Sequence, residues 1–307
     1  MKRWLQERIE GVERIVRIRA EASTRVFFRL YFSERTRVAM VYPGPEPEAL
    51  ERIKRLTGLY LNHGIAVPRI HAVLEDRALV QEDLGNLRLQ QVFSRGSVRS
   101  RRDWLVRTAD ILEKLASIPA EATSNRLDRD RLHWEMDFFI QHFASRRLDA
   151  KACRRLQSCL IALVEGIDGV PVFAHRDFHS RNMMVRDELV YLVDFQDSLR
   201  APRAYDAVSL AWDAYLDLGK QRERFLDDLD ARGLLPSREQ VYLTALQRNL
   251  KALGTFGFQA DTRGKRGYER YIPRTLRHVA QNPLAREVLE DSLDQLITDP
   301  AEKWGKR

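Results

Sequence analysis

The stretch His175-Arg176-Asp177-Phe178-His179-Ser180-Arg181-Asn182, with Leu192-Val193-Asp194-Phe195-Gln196-Asp197 after it, decides how this chain is read. An aspartate precedes an asparagine by five positions, and an apolar-Asp-Phe motif follows about ten residues later, a combination rare by chance. Residues 189–193 are apolar and rich in β-formers. Met183-Met184-Val185 can pair with them around Arg186-Asp187-Glu188, which predicts a hairpin with Asn182 at one end and Asp194 at the other. Two polar side chains far apart in sequence are thereby expected side by side.

The chemistry of these residues points to phosphoryl transfer from ATP to a hydroxyl, where catalysis is mostly positioning and charge neutralisation. Asp177 is the candidate general base, orienting the hydroxyl and accepting its proton; the plainer reading is a solvated loop aspartate. Asn182 and Asp194 offer hard oxygen ligands that suit magnesium on ATP phosphates. His175 reads as a loop-bracing histidine, and neither it nor His179 has the third ligand a zinc site needs. Arg181 is open between a phosphate contact and a surface carboxylate. Asp206 sits in the first turn of an apolar helix, where the macrodipole favours a carboxylate, and is expected to tie that helix to the catalytic loop. Asp213, seven residues on, reads either as a substrate contact or as a surface acid, with the surface reading preferred.

Outward from this stretch, 307 residues suit one two-lobed domain or two small domains, enough for a sizeable core. No run of about eighteen apolar residues predicts a membrane span, and the charged N-terminus has no signal core, so a cytoplasmic location is expected. Cys153 and Cys159 read as packed helix residues. The net charge of +8 is spread among alternating acids and bases, which argues against a nucleic-acid stripe. Residues 12–82 read β-β-β-α-β-β, from strands at 15–20, 26–32 and 37–42, a helix at 46–63 with Leu50, Ile53, Leu56, Leu59 and Tyr60 on one stripe, and strands at 69–74 and 78–81. Beyond Asp83-Leu84-Gly85-Asn86, helical patterns dominate at 101–118, 130–147, 150–167, 202–218, 221–232, 237–253 and 264–280. The expected fold class is α+β. It has a small antiparallel-sheet N-lobe (1–84), a larger helical C-lobe (85–307) with the catalytic loop and acceptor site, and a ligand cleft at the joint.

These motifs resemble the protein-kinase-like superfamily of aminoglycoside phosphotransferases and choline kinases over about residues 12–280. Within it, H-R-D-F-H-S-R-N-M-M-V, V-D-F-Q-D, Y-D-A-V-S-L, L-Q-R-N-L-K-A-L-G-T-F and Q-E-D-L-G look most like the bacterial kinases of cell-wall recycling, which phosphorylate N-acetylmuramate and N-acetylglucosamine at the anomeric hydroxyl. The resemblance implies Asp177 as base, Asn182 and Asp194 as magnesium ligands, and the backbone from Glu82 to Leu84 against adenine. It implies Ser23, Thr24 and Arg25 over the phosphates, and Gln196 and Asp197 bordering the acceptor. Two departures stand out. The phosphate-covering turn has no glycine, so the Ser23 and Thr24 hydroxyls would have to act as donors. The third strand, Val38-Ala39-Met40-Val41, has no phosphate-gripping lysine, as also tends to hold in the recycling group. Arg25 or Arg29 could replace that charge, although a guanidinium is not an ammonium.

The expected function is therefore an ATP- and magnesium-dependent small-molecule kinase for an amino sugar, with no nucleic-acid, membrane or obligate protein partner. The alternatives are an aminoglycoside or other small-alcohol phosphotransferase, and a nucleotide-binding regulator without catalysis. Polycationic aminoglycosides call for an acidic acceptor site. Residues 245–280 instead hold Arg248, Lys251, Arg263, Lys265, Arg266, Arg270, Arg274 and Arg277. If that segment borders the acceptor, an anionic sugar fits, and Arg248 becomes a substrate contact; otherwise it is a basic outer face.

Overall fold

The computed structural model describes residues 1–18 and 25–297. The described chain divides into two units, Met1–Val92 with Asn182–Gln196, and Phe93–Arg181 with the chain from Asp197 on. Elements are numbered in chain order. The fold is α+β, as the motifs predict.

In the first unit, helix α1 (Lys2–Gln6) precedes strands β1 (Arg14–Ile18), β2 (Val26–Tyr31) and β3 (Thr36–Val41). Helix α2 (Pro47–Asn62) and strands β4 (Ile70–Leu74) and β5 (Ala78–Glu82) follow. The strands form one antiparallel sheet in the order β1-β2-β3-β5-β4. Leu5, Ile15, Phe28, Leu30, Ala39, Val41, Ala78 and Val80 form its core. Proline at the first turn starts α2, and Leu50, Ile53, Leu56 and Tyr60 bury one stripe of it. Helix α3 (Leu89–Arg95) leads out of the unit.

The expected hairpin is present as β7 (Met183–Arg186) and β8 (Leu189–Leu192), with Met183 opposite Leu192. Its turn residues Asp187 and Glu188 both have positive φ, the twist a two-residue hairpin turn requires. Val185 N–H donates to the Leu87 carbonyl and Leu192 N–H to that of Ala66. The Phe195 ring lies 5.1 Å from that of Tyr60. These contacts, and not sequence proximity, attach the hairpin to α2 and to the loops of the first unit.

The second unit is mainly helical: α4 (Val98–Ala116), α5 (Arg129–His142), α6 (Ala150–Gly166), α7 (Tyr205–Ala211), α8 (Gln221–Ala231), α9 (Arg238–Gly257), α10 (Ile272–Ala280), α11 (Ala285–Leu289) and α12 (Ser292–Ile297). The short strands β6 (Val172–Ala174) and β9 (Leu199–Ala201) pair antiparallel. Ser97, Asp128, Asp149 and Ser237 cap α4, α5, α6 and α9 through their side-chain oxygens. The helix expected over 202–218 ends at Ala211, and the one expected over 264–280 is a 3₁₀ turn followed by α10. Pro273 explains the second difference, since it has no N–H to continue an earlier helix.

Helices α5 and α9 approach closely because glycines line the contact. A β-carbon at Gly254 would come within 2.8 Å of the Phe139 backbone, and one at Gly257 would collide with the His142 carbonyl. Gly257→Ala should therefore lower stability by about 1–3 kcal/mol through overpacking, read as a lower midpoint in urea unfolding. An unchanged midpoint would show that the helices can part without cost.

Candidate functional site

In the second unit, β6 delivers the loop His175–Ser180, whose backbone is held at both ends by buried carboxylates. Asp206, in the first turn of α7 and 6% exposed, accepts His175 N–H at 2.6 Å and Arg176 N–H at 3.0 Å. This is the tie between helix and loop read from its position. Asp213 corrects the surface reading, since it is 1% exposed. It lies beyond the end of α7 and accepts Ser180 N–H at 2.7 Å and Tyr215 N–H at 2.6 Å. Burial pushes the Asp206 carboxyl up to about 7 and raises that of Asp213, while these backbone donors pull both down. Arg176 adopts φ +81° between the pegs, a conformation that persists only where the surroundings impose it.

Asp177 projects from this loop with its side chain 30% exposed. It borders a recess of about 100 Å³ lined also by His179, Trp212, Tyr215, Arg248, Lys251 and Phe256. The Arg248 guanidinium is 3.5 Å from Asp177 Oδ1, lies over the Tyr205 ring and donates to Ser209 Oγ. Burial alone would raise the Asp177 carboxyl. Lys251 and Arg248 more than offset it and hold the group well below the usual carboxylate range. Burial lowers the Lys251 ammonium, and Arg248 beside it acts in the same direction. His179, edge-on to Tyr215, is driven by burial to about 3 and stays neutral near pH 7. His175 is fully buried in the loop. Arg181 lies over the Tyr215 ring and donates to the Tyr271 hydroxyl at 3.2 Å. Asp197 is half-buried.

In the first unit, Val193 N–H donates to the Asn182 carbonyl at 2.9 Å, so the hairpin ends bring residues 182 and 194 together as expected. Asp194 is exposed and has φ +65°. Its Oδ1 accepts from Arg25 and from Gln196, each at 3.0 Å. Among the described residues no group of three or more His, Cys, Asp and Glu could hold a metal. Asn182 and Asp194 would still offer magnesium an amide oxygen and a carboxylate. Glu82 pairs with Arg186 at 2.9 Å, and Leu84 is buried. Arg29 is held by Asp83 at 2.6 Å and by the Gly85 carbonyl at 3.0 Å. Ser23 and Thr24 lie outside the described residues.

Of the basic residues between 245 and 280, Arg248 and Lys251 line the recess, while Arg263, Lys265, Arg266, Arg270 and Arg277 are exposed. Lys251 was legible as a site residue from its spacing, since a step of three on α9 puts it on the face of Arg248. Tyr215 and Trp212 carried no such signal.

The chain belongs to the phosphotransferase enzyme family, which it matches over residues 14–244, and it is a phosphotransferase acting on a hydroxyl. It is 28% identical to an N-acetylmuramate/N-acetylglucosamine kinase of Pseudomonas aeruginosa, over 88% of this chain and 85% of that protein. It is 27% identical to the kinase of the same description from Neisseria meningitidis, over 85% and 83%. A choline kinase structure from Streptococcus pneumoniae superposes with a TM-score of 0.66 at 15% identity, covering 91% of this chain and 98% of that one. An ADP-bound aminoglycoside phosphotransferase superposes with a TM-score of 0.64 at 15% identity, covering 96% and 98%. The fold is thus the protein-kinase-like one that the motifs imply.

Asp206→Asn keeps the side chain's shape but turns an amide N–H₂ or its single remaining oxygen toward two backbone donors. It should cost about 2 kcal/mol of stability and lower turnover with it. A urea midpoint equal to the parent's would refute the role of Asp206 as a peg.

Proposed function

We propose that the protein is an ATP- and magnesium-dependent amino-sugar kinase that phosphorylates N-acetylmuramate, and also N-acetylglucosamine, at the anomeric hydroxyl. The observation that carries this reading is the pair of cations, Arg248 and Lys251, beside Asp177 in one recess. Asp177 offsets Arg248 there, which leaves Lys251 to favour a sugar bearing a carboxylate over a polycationic aminoglycoside. Lys251 has no carboxylate within 4 Å among the described residues, whereas Arg248 stands against Asp177, so the acceptor's carboxylate is assigned to Lys251. The curated relatives, named for these two sugars, point the same way.

Asp177 would orient the acceptor hydroxyl and take its proton. Asn182 and Asp194 would hold magnesium, which supplies charge neutralisation at the phosphates. The backbone from Glu82 to Leu84 would meet adenine. Gln196 holds Asp194 in place by a hydrogen bond, and Asp197 would border the acceptor.

ADP release measured over a panel of amino sugars and aminoglycosides should show turnover on N-acetylmuramate and N-acetylglucosamine. Asp177→Asn should lower kcat by roughly a thousandfold with nucleotide affinity nearly unchanged. Turnover of that variant near the parent rate would refute its role as base. Nucleotide binding without turnover on any acceptor would leave a regulator in place of an enzyme. Lys251→Met should lower kcat/KM for N-acetylmuramate relative to N-acetylglucosamine by about tenfold, equivalent to ~1.4 kcal/mol. Equal effects on the two sugars would remove the carboxylate contact while leaving the kinase reading intact.

A further inference from the structure

Strand β3 carries methionine where the resemblance leads one to expect a lysine, and the first unit still has to meet a triphosphate with positive charge. Two arginines of the β2 segment were candidates for that task, and their surroundings separate them. Arg29 is committed: its guanidinium spans the Asp83 carboxylate, the Gly85 carbonyl and the Asn86 side chain. Those contacts brace the segment at 83–86 and leave Arg29 with a structural task.

Arg25 is placed differently. It stands immediately before β2, in which Phe27 pairs with Met40 and Val26 with Val41. Alternation along the strand therefore puts Arg25 and Phe27 on one face, and cross-strand pairing puts Met40 on the same face. The side chains follow this register. The Arg25 guanidinium lies 5.9 Å from the centre of the Phe27 ring. Its Nη1 is 3.6 Å from Met40 Sδ, and its Nη2 donates to Asp194 Oδ1 at 3.0 Å. A lysine at position 40 would carry its ammonium one atom beyond the end of the methionine chain. Arg25 brings its charge from the neighbouring strand to that region, against the carboxylate assigned to magnesium. Met40 is buried, so its thioether forms an apolar floor under the guanidinium.

We infer that Arg25, just before β2, supplies the phosphate-gripping charge that β3 lacks, its guanidinium binding non-bridging oxygens of the ATP phosphates while also touching Asp194. A guanidinium presents five donors in a fixed fork, so one side chain can serve a carboxylate and a phosphate together. The inference rests on the ATP-dependent reading given above.

Calorimetry on the full chain with magnesium tests it, using adenylyl imidodiphosphate and, separately, adenosine, which has no phosphates. Arg25→Met should weaken the triphosphate analogue roughly 10- to 100-fold, the range for loss of charged hydrogen bonds, with adenosine affinity unchanged. Adding Met40→Lys to that variant should recover most of the lost affinity, since its ammonium enters the space the guanidinium leaves. Arg25→Met binding the analogue as tightly as the parent would overturn the assignment. Equal weakening for analogue and adenosine, or a double variant no better than the single one, would also overturn it. These outcomes are separate from the fate of the kinase reading: nucleotide binding that depends on Arg25, with no acceptor turned over, would refute the sugar-kinase function and leave the assignment standing.

Discussion

The backbone of residues 175–180 has neither a strand partner nor helical hydrogen bonds, yet much of it is buried. Buried N–H groups without acceptors are costly, so this loop can hold its shape only if other groups accept from it. Asp206 takes the N–H groups at its start and Asp213 takes the one at its end. Both carboxylates are almost sealed from water, and such groups persist only when donors replace their hydration. The consequence extends into α7. Every residue of Tyr205–Ala211 is buried, because the helix must lie against the loop to bring Asp206 into place. The buried run Val208-Ser209-Leu210-Ala211 is therefore tied to the geometry of Asp177 as well as to the core.

A comparable trade operates in the first unit. Its hairpin has only four residues per strand and would be marginal alone. Backbone bonds to Ala66 and Leu87 and the Phe195–Tyr60 contact give it support, and Asp194 just beyond it has a left-handed backbone. An exposed carboxylate in that conformation stays ordered through its neighbours, and Arg25 and Gln196 are those neighbours. Arg25 also reaches Met40 Sδ on β3, so one guanidinium links that strand to the hairpin's end.

The sequence was most legible where local pattern and tertiary role coincide. Alternation marked the first and third strands, aromatic and β-branched content marked the second, a polar turn set off the fourth and fifth, the stripe on α2 marked its buried face, and the turn residues marked the hairpin. It was least legible where a residue's role depends on a partner distant in the chain. Asp213 looked like a surface acid because helical periodicity was extended past Ala211. Its acceptors' partners, the N–H groups of Ser180 and Tyr215, leave no trace in composition. The cationic segment was visible as a whole, but a charge count cannot separate Arg248 and Lys251, which face inward from α9, from Arg263 or Arg266 on an exposed turn. The sequence reading assigns no helix after residue 280. There α11 and α12 are single short turns, held by packing of Leu289, Leu293 and Leu296 into the core of the second unit, and too short for a periodic signal.

The cations around Asp177 bear on the proposed chemistry in opposite directions. Lys251 and Arg248 keep the carboxylate ionised, so it is ready to accept a hydrogen bond, but they also make it a weak base. A weak base is a poor choice for an ordinary alcohol if deprotonation must come first. It is adequate where the transition state is loose and the proton leaves late, as in most descriptions of phosphoryl transfer. It is better matched still to an anomeric hydroxyl, whose ring oxygen makes it more acidic than other sugar hydroxyls. A carboxylate on the acceptor would also draw off part of the positive field as it docks beside Lys251, raising the basicity of Asp177 only when the right sugar is present. On this view charge selectivity and base strength are set by the same side chains. An acceptor lacking the carboxylate should then bind a recess whose base is weaker, a difference that would appear in kcat as well as in KM.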